Sequence, residues 1–205
     1  MPPSSAGLRP SLTFFLLLLA LPAVAAAALP HLELDLTLDP ERRSLDAQAQ
    51  LELDGGGRFV WELAAELKPG EARLDGRAVE YRRVGARDGV VRYAVALPDR
   101  GRHRLSLRYA GTLAPLDTRL DHRGVLQHLP AMAGAQGSFL PAGARWYPGP
   151  GELFSYALTV RTPAGQRAVA PGRVAAESLK PEGNSARFEF PQPAEGIDLM
   201  AGPYE

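Results

Sequence analysis

The stretch "HLELDLTLDPERRSLDAQAQLELDGG", His31 to Gly56, carries the most regular pattern in the chain. Leu32, Leu34, Leu36 and Leu38 alternate with Glu33, Asp35 and Thr37, and then Leu45, Ala47, Ala49, Leu51 and Leu53 alternate with Asp46, Gln48, Gln50 and Glu52. A period of two puts every second side chain on one face, so each run predicts a strand with one buried and one wet face. Two such runs in succession suggest antiparallel partners. Glu33 and Asp35 share a face as paired carboxylates can, but every residue facing the other way is Leu. The pair therefore reads as the wet side of an amphipathic strand.

The same grammar continues downstream. "VVRYAVAL", Val90 to Leu97, and "HRLSLRYAG", His103 to Gly111, read as further strands, as do segments at 137–140, 153–160, 167–170, 187–190 and 197–201. Turn signals recur at Asp54-Gly55, Asp75-Gly76, Asp88-Gly89, Pro163-Ala164-Gly165 and Pro181-Glu182-Gly183. Glycine or Asp-Gly supplies the positive φ of tight hairpins, so the class expected is all-β, a sandwich or barrel. "WELAAEL", Trp61 to Leu67, fits a strand or one helical turn and is too short to decide. Between Gly111 and Gln136 no period is sustained, which is unusual inside a compact domain unless the stretch is functional or packs on something.

With 205 residues, one well-buried domain is expected. Basic and acidic residues balance at 23 each, and the arginines are scattered without interleaved aromatics, which argues against nucleic acid as a partner. The absence of cysteine excludes a disulfide framework, a thiolate zinc site and a cysteine nucleophile. Residues 1–28 read as a secretory signal peptide: Arg9 precedes the apolar run Leu12 to Leu29, and Ala23-Val24-Ala25 fits a small-x-small cleavage site. The competing reading is a retained membrane anchor, since about 18 apolar residues just span a bilayer. Cleavage would leave residues 29–205 as a soluble domain with no membrane span, secreted or periplasmic.

Catalytic motifs are missing. No histidine begins a His-Glu-x-x-His zinc motif, both lysines precede proline, and "GNSAR", Gly183 to Arg187, fails as a nucleophile elbow at its last position. Asp121, His122 and His128 could in principle ligate a metal, but no further ligand is evident beside them. Trp146 and Tyr147, in the Gly/Pro-rich loop before a clear strand, are the most informative side chains. A loop normally crosses the surface, where two large aromatics forgo a sizeable burial term, so the domain's own core, a ligand or another domain should cover them.

The order of features resembles the N-terminal β-domain of zinc aminopeptidases of the aminopeptidase N type. The strand pair quoted above is similar to that domain's opening, and "LRYAGTLAP" (Leu107 to Pro115) resembles its Tyr-x-Gly strand end. "ARWYPGPGELFSYALTVRTPAGQRAVAPGR" (Ala144 to Arg173) resembles its Ala-Arg-x-x-Phe-Pro loop and the following strand, and "ARFEFPQPAEGIDLMAGPYE" (Ala186 to Glu205) resembles the last strands before the catalytic domain. No one of these motifs is specific; four in order are. The resemblance implies an antiparallel, saddle-like β-sandwich that packs against a thermolysin-like zinc domain, with Trp146, Tyr147 and Pro148 covered at the domain junction. The family's Cys-x-Asp-Glu continuation is replaced by Gly149-Pro150-Gly151-Glu152, leaving Glu152 as the only nearby acid.

On that basis the chain is expected to be a non-catalytic, truncated or split part of a metallopeptidase. It would be inactive alone and without a cofactor of its own, zinc belonging to the parent family. Its partner would be the catalytic domain, and peptide substrate would be met through that domain. An uncovered apolar patch around Trp146 and Tyr147 is expected in the isolated chain. The rival expectation is a free-standing β-sandwich module whose Trp/Tyr loop binds a peptide or a sugar.

Overall fold

A computed structural model describes residues 29–117, 119 and 129–204. Residues 1–28, read above as a signal peptide, and the Asp121, His122 and His128 group lie outside the described residues. The fold is all-β and consists of two facing sheets. β1 (His31–Asp39), β2 (Ser44–Ala64), β3 (Leu67–Leu74), β4 (Arg77–Ala78), β5 (Arg82–Arg87) and β6 (Val90–Thr112) follow one another in the first half. β7 (Ala114–Pro115), β8 (Met132–Gly134), β9 (Gly137–Leu140), β10 (Phe154–Thr162), β11 (Arg167–Val169), β12 (Arg173–Lys180), β13 (Gly183–Ala194) and β14 (Leu199–Gly202) complete it. The larger sheet has nine strands in the order β12-β13-β10-β1-β2-β6-β3-β4, with β5 also on β6; the smaller has five, β11-β14-β9-β8-β7.

The alternation of β1 becomes the floor of the core. Leu32, Leu34, Leu36 and Leu38 are at most 1 % exposed. Each gains roughly 1.5–3 kcal/mol by leaving water. On one side they sit opposite Leu51, Ala49, Ala47 and Leu45 of β2, as the sequence pattern predicts. On the other, Leu32, Leu34 and Leu36 meet Tyr156, Leu158 and Val160 of β10 in a parallel ladder. β7 and β8 are also parallel, so the sandwich is mixed and not purely antiparallel as the resemblance implied. A parallel pair needs a long crossover, and everything from β2 to β9 lies between β1 and β10. The outer face of β1 is wet but organised. Arg187 of β13 reaches both oxygens of Glu33, and Arg161 of β10 lies 3.2 Å from Asp35.

Asp54-Gly55, read as a hairpin turn, is instead a bend within β2. β2 and β6 pair from Ser44↔Thr112 to Ala64↔Val90, interrupted only between Gly55 and Gly57, where Pro98, Asp99 and Arg100 bulge opposite Gly56. Pro98 has no N–H for a ladder, and a bulge is where a strand tolerates that. A Cβ at Gly56 would overlap the Asp99 carbonyl. Below the bend β6 pairs with β3, and above it with β5, so both lie on the same edge of one long bent ribbon. The upper arm is filled by Phe59, Trp61, Tyr81 and Tyr93, with Trp61 stacked on Tyr93 at 5.7 Å and Tyr81 edge-on to both. "WELAAEL" resolves into the end of β2 at Ala64 and a turn leading into β3. Asp75-Gly76 and Asp88-Gly89 are tight turns as expected, with φ of 51° and 81°, and 51° and 76°. No helix among the described residues is long and apolar enough to cross a membrane.

Crowding at the bend gives a direct test. Gly56→Ala is expected to lower stability by about 1–3 kcal/mol in chemical denaturation, because the added methyl has no room against the Asp99 backbone. Gly85→Ala, in open space, is expected to be neutral or slightly stabilising. Equal midpoints for the two variants would show that the bend is not crowded.

Candidate functional site: the aromatic corner and the cleft beside it

The loop joining β9 to β10 opens with a single 3-10 turn, Ala142–Ala144, which ends at Arg145 in the left-handed region with φ 53°. That conformation turns the chain inward. Trp146 is 0 % and Tyr147 5 % exposed, and Pro148 is buried with them, whereas Glu152 is exposed. Trp146 and Tyr147 pack edge to face with centroids 4.7 Å apart, and Phe154, Tyr156 and Phe190 extend the row through the core. The domain's own core therefore covers the pair. Neither ring forms the expected uncovered patch, although Leu153 further along the same loop is 47 % exposed.

The reason lies on the segment before β14, some fifty residues downstream. The Trp146 indole Nε1–H donates to the Ile197 carbonyl at 3.1 Å, and the Ile197 N–H donates to the Tyr147 hydroxyl oxygen at 2.8 Å. The Ala142 N–H donates to Asp198 Oδ1 at 2.7 Å. A Cβ on Gly196 would lie 2.5 Å from that of Ala142, so only glycine permits the approach. Three hydrogen bonds thus tie the loop to the segment before β14. Burial pushes the Tyr147 phenol up to about 12, partly opposed by the Ile197 hydrogen bond, and burial likewise pushes Tyr156 up to about 12.

On the solvent side of this corner lies a cleft of about 850 Å³. The Arg145 carbonyl accepts from Ala64 N–H at 2.8 Å, which fixes the loop against the end of β2. Glu62 stands between two guanidinium groups, Arg145 Nε at 3.2 Å and Arg92 Nε at 3.5 Å. Leu67, Leu113 and Ala131 supply apolar wall. The charges compensate one another, and no nucleophile–base pair lines the cleft. Among the described residues no three His, Asp or Glu side chains are grouped to hold a metal ion, so those residues do not fit zinc.

Sequence reading missed two arrangements that register creates. His31 and Ser155 face each other across β1 and β10, with Nδ1 2.9 Å from Ser155 Oγ. Glu33 is 3.9 Å from His31 Nε2 and gives its oxygens to Arg187, so the imidazole has no orienting acid and the pair is a cross-strand contact. The second, around His103, lies at the ribbon bend.

The corner yields two expectations. Trp146→Ala should cost about 3–5 kcal/mol, and Tyr147→Phe, which only strands the Ile197 N–H, about 1–3 kcal/mol, both read from denaturant midpoints. Because the Tyr147 and Tyr156 phenols are raised in the fold from 10 to about 12, the stability they contribute is full below pH 10 and lost as pH climbs through 12. Absorbance at ~295 nm should show phenolate forming with unfolding; full ionisation near pH 10 in a folded sample would contradict it.

No protein-family profile matches the sequence, and no curated protein does. Solved structures do. An M1 zinc metallopeptidase from Deinococcus radiodurans aligns with a TM-score of 0.68 and 23 % identity over 86 % of this chain and 42 % of its own. A variant of that enzyme bound to a Tyr-Ser-Ala substrate aligns at 0.67 and 22 % over the same shares. Yeast LTA4 hydrolase in complex with bestatin aligns at 0.59 and 15 %, over 85 % of this chain and 28 % of its own. At these identities the likeness is one of fold: the chain has the β-fold found in the N-terminal part of these metallopeptidases and spans less than half of their length.

Proposed function

We propose that this chain is the non-catalytic β-domain of a zinc aminopeptidase-like protein, secreted or periplasmic, that packs against a metallopeptidase catalytic domain. The observation that carries the reading is the fold match over 86 % of the chain to zinc metallopeptidases of which it spans only 42 %. The four ordered sequence motifs support it independently.

Trp146, Tyr147 and Pro148 are buried within the domain, so we place the contact surface elsewhere. The outer face of the small sheet offers a better one, because Val169, Met200 and Phe139 lie in register across β11, β14 and β9. Val169 is 45 % and Met200 40 % exposed, and Tyr204 just beyond β14 is 47 % exposed. Large apolar side chains aligned in water on a sheet face favour a covering partner. The domain would then contribute a wall and an orientation to a peptide site whose metal and acid–base groups belong to the other domain.

The test is to read the coding sequence that continues past or neighbours this chain for His-Glu-x-x-His with a later glutamate, and to express that segment with this chain. Co-elution as a one-to-one complex that hydrolyses aminoacyl-anilides, weakened at least tenfold by Met200→Asp, is the expected result. A zinc segment that elutes apart from this chain, or the lack of any such segment, would overturn the reading.

A further inference from the structure

The bend of the β2–β6 ribbon contains an arrangement that needs a proton. His103 is 5 % exposed and has an acceptor at each ring nitrogen. Nδ1 is 2.9 Å from Asp75 Oδ2, and Nε2 is 3.1 Å from Asp99 Oδ1 and 3.3 Å from the Asp99 carbonyl. A neutral imidazole has one N–H and one bare nitrogen, so it satisfies only one of these sides; the imidazolium donates to both.

The two carboxylates belong to different pieces of chain. Asp75 sits in the β3–β4 turn, where its N–H donates to the Arg104 carbonyl at 2.9 Å and its Oδ1 accepts from Arg104 N–H at 2.8 Å. Asp99 is the bulged residue whose carbonyl crowds Gly56. The neighbouring charges are engaged with one another: Arg102 with Asp54 and Arg104 with Glu52 across the ribbon, and Arg73 with Glu71 on β3. Leu53 of β2 stands opposite His103. The imidazole therefore faces two acids directly and no cation.

We propose that His103 is a proton-operated latch, holding the ribbon bend to the β3–β4 turn as imidazolium and releasing the Asp99 side when neutral. Release falls on that side because Asp75 is pinned by the Arg104 backbone, whereas the Asp99 side chain is 76 % exposed and can swing into water. The hydrogen bond from Asp75 raises the imidazole above its ordinary range against the opposing effect of burial, and the hydrogen bond with His103 lowers Asp75. Stability from the raised histidine is full below its unfolded value of about 6.5 and is lost as pH rises through the folded value. Stability from the lowered Asp75 is full above the ordinary carboxylate range and is lost as pH falls through its folded value. The latch is closed between those limits.

The test combines nitrogen-resolved NMR titration of the His103 ring with amide exchange, expressed as protection factors, for 55–58 and 97–102 against the β1 amides. Wild-type His103 should carry both ring protons at pH 6.5. As it loses one at higher pH, protection at the bend should drop by on the order of tenfold while β1 is unmoved. Asp99→Asn, at an exposed side chain and compatible with folding, should lower the histidine's titration midpoint and flatten the pH response of the bend. A ring already neutral at pH 6.5, or bend protection that ignores the ring's titration, would overturn the proposal.

Discussion

The Ile197 backbone ties together the two segments that cross between the sheets. Its carbonyl accepts from the Trp146 indole N–H and its N–H donates to the Tyr147 hydroxyl, so the loop from β9 to β10 is fastened to the segment that leads from β13 into β14. An irregular segment can enter a core only if every buried donor and acceptor finds a partner. Here two aromatic heads supply partners while their rings fill the space between Phe154 and the loop. Arg145, forced into a left-handed conformation, turns the chain so that its carbonyl closes the end of β2.

What the sequence displayed was the part of the fold in which side-chain burial and strand period coincide. Leu32 to Leu38 and Leu45 to Leu53 alternate because one face of each strand is dry, and both were legible. Edge strands were not. β5 reads "RRVGAR" and β12 "RVAAESLK", largely exposed on both faces, so no period marks them. Asp54-Gly55 carries turn chemistry, yet the chain runs on as one ribbon because Pro98 to Arg100 bulges to match it, a complementarity visible only when the strands are paired.

The aromatic corner shows the limit most clearly. Glycines and prolines around Trp146 signal a surface loop, and local composition cannot reveal a backbone partner fifty residues away at Ile197. The family resemblance anticipated the fold and placed the loop at a junction, but the pair is turned into its own core. His103 was equally hidden, since Asp75 and Asp99 come from a turn and a bulge that only the fold brings to the same ring. The aromatic pair is thereby covered by its own core, while Val169 and Met200 stay exposed on the small sheet.

Burial of the corner in the chain by itself is tested most directly by tryptophan emission in a Trp61→Phe variant, which leaves Trp146 as the sole tryptophan. Blue-shifted emission that resists acrylamide until the protein unfolds is the expected result. Red-shifted emission quenched freely in the native state would contradict it, and would return the corner to the surface as half of an unmade contact.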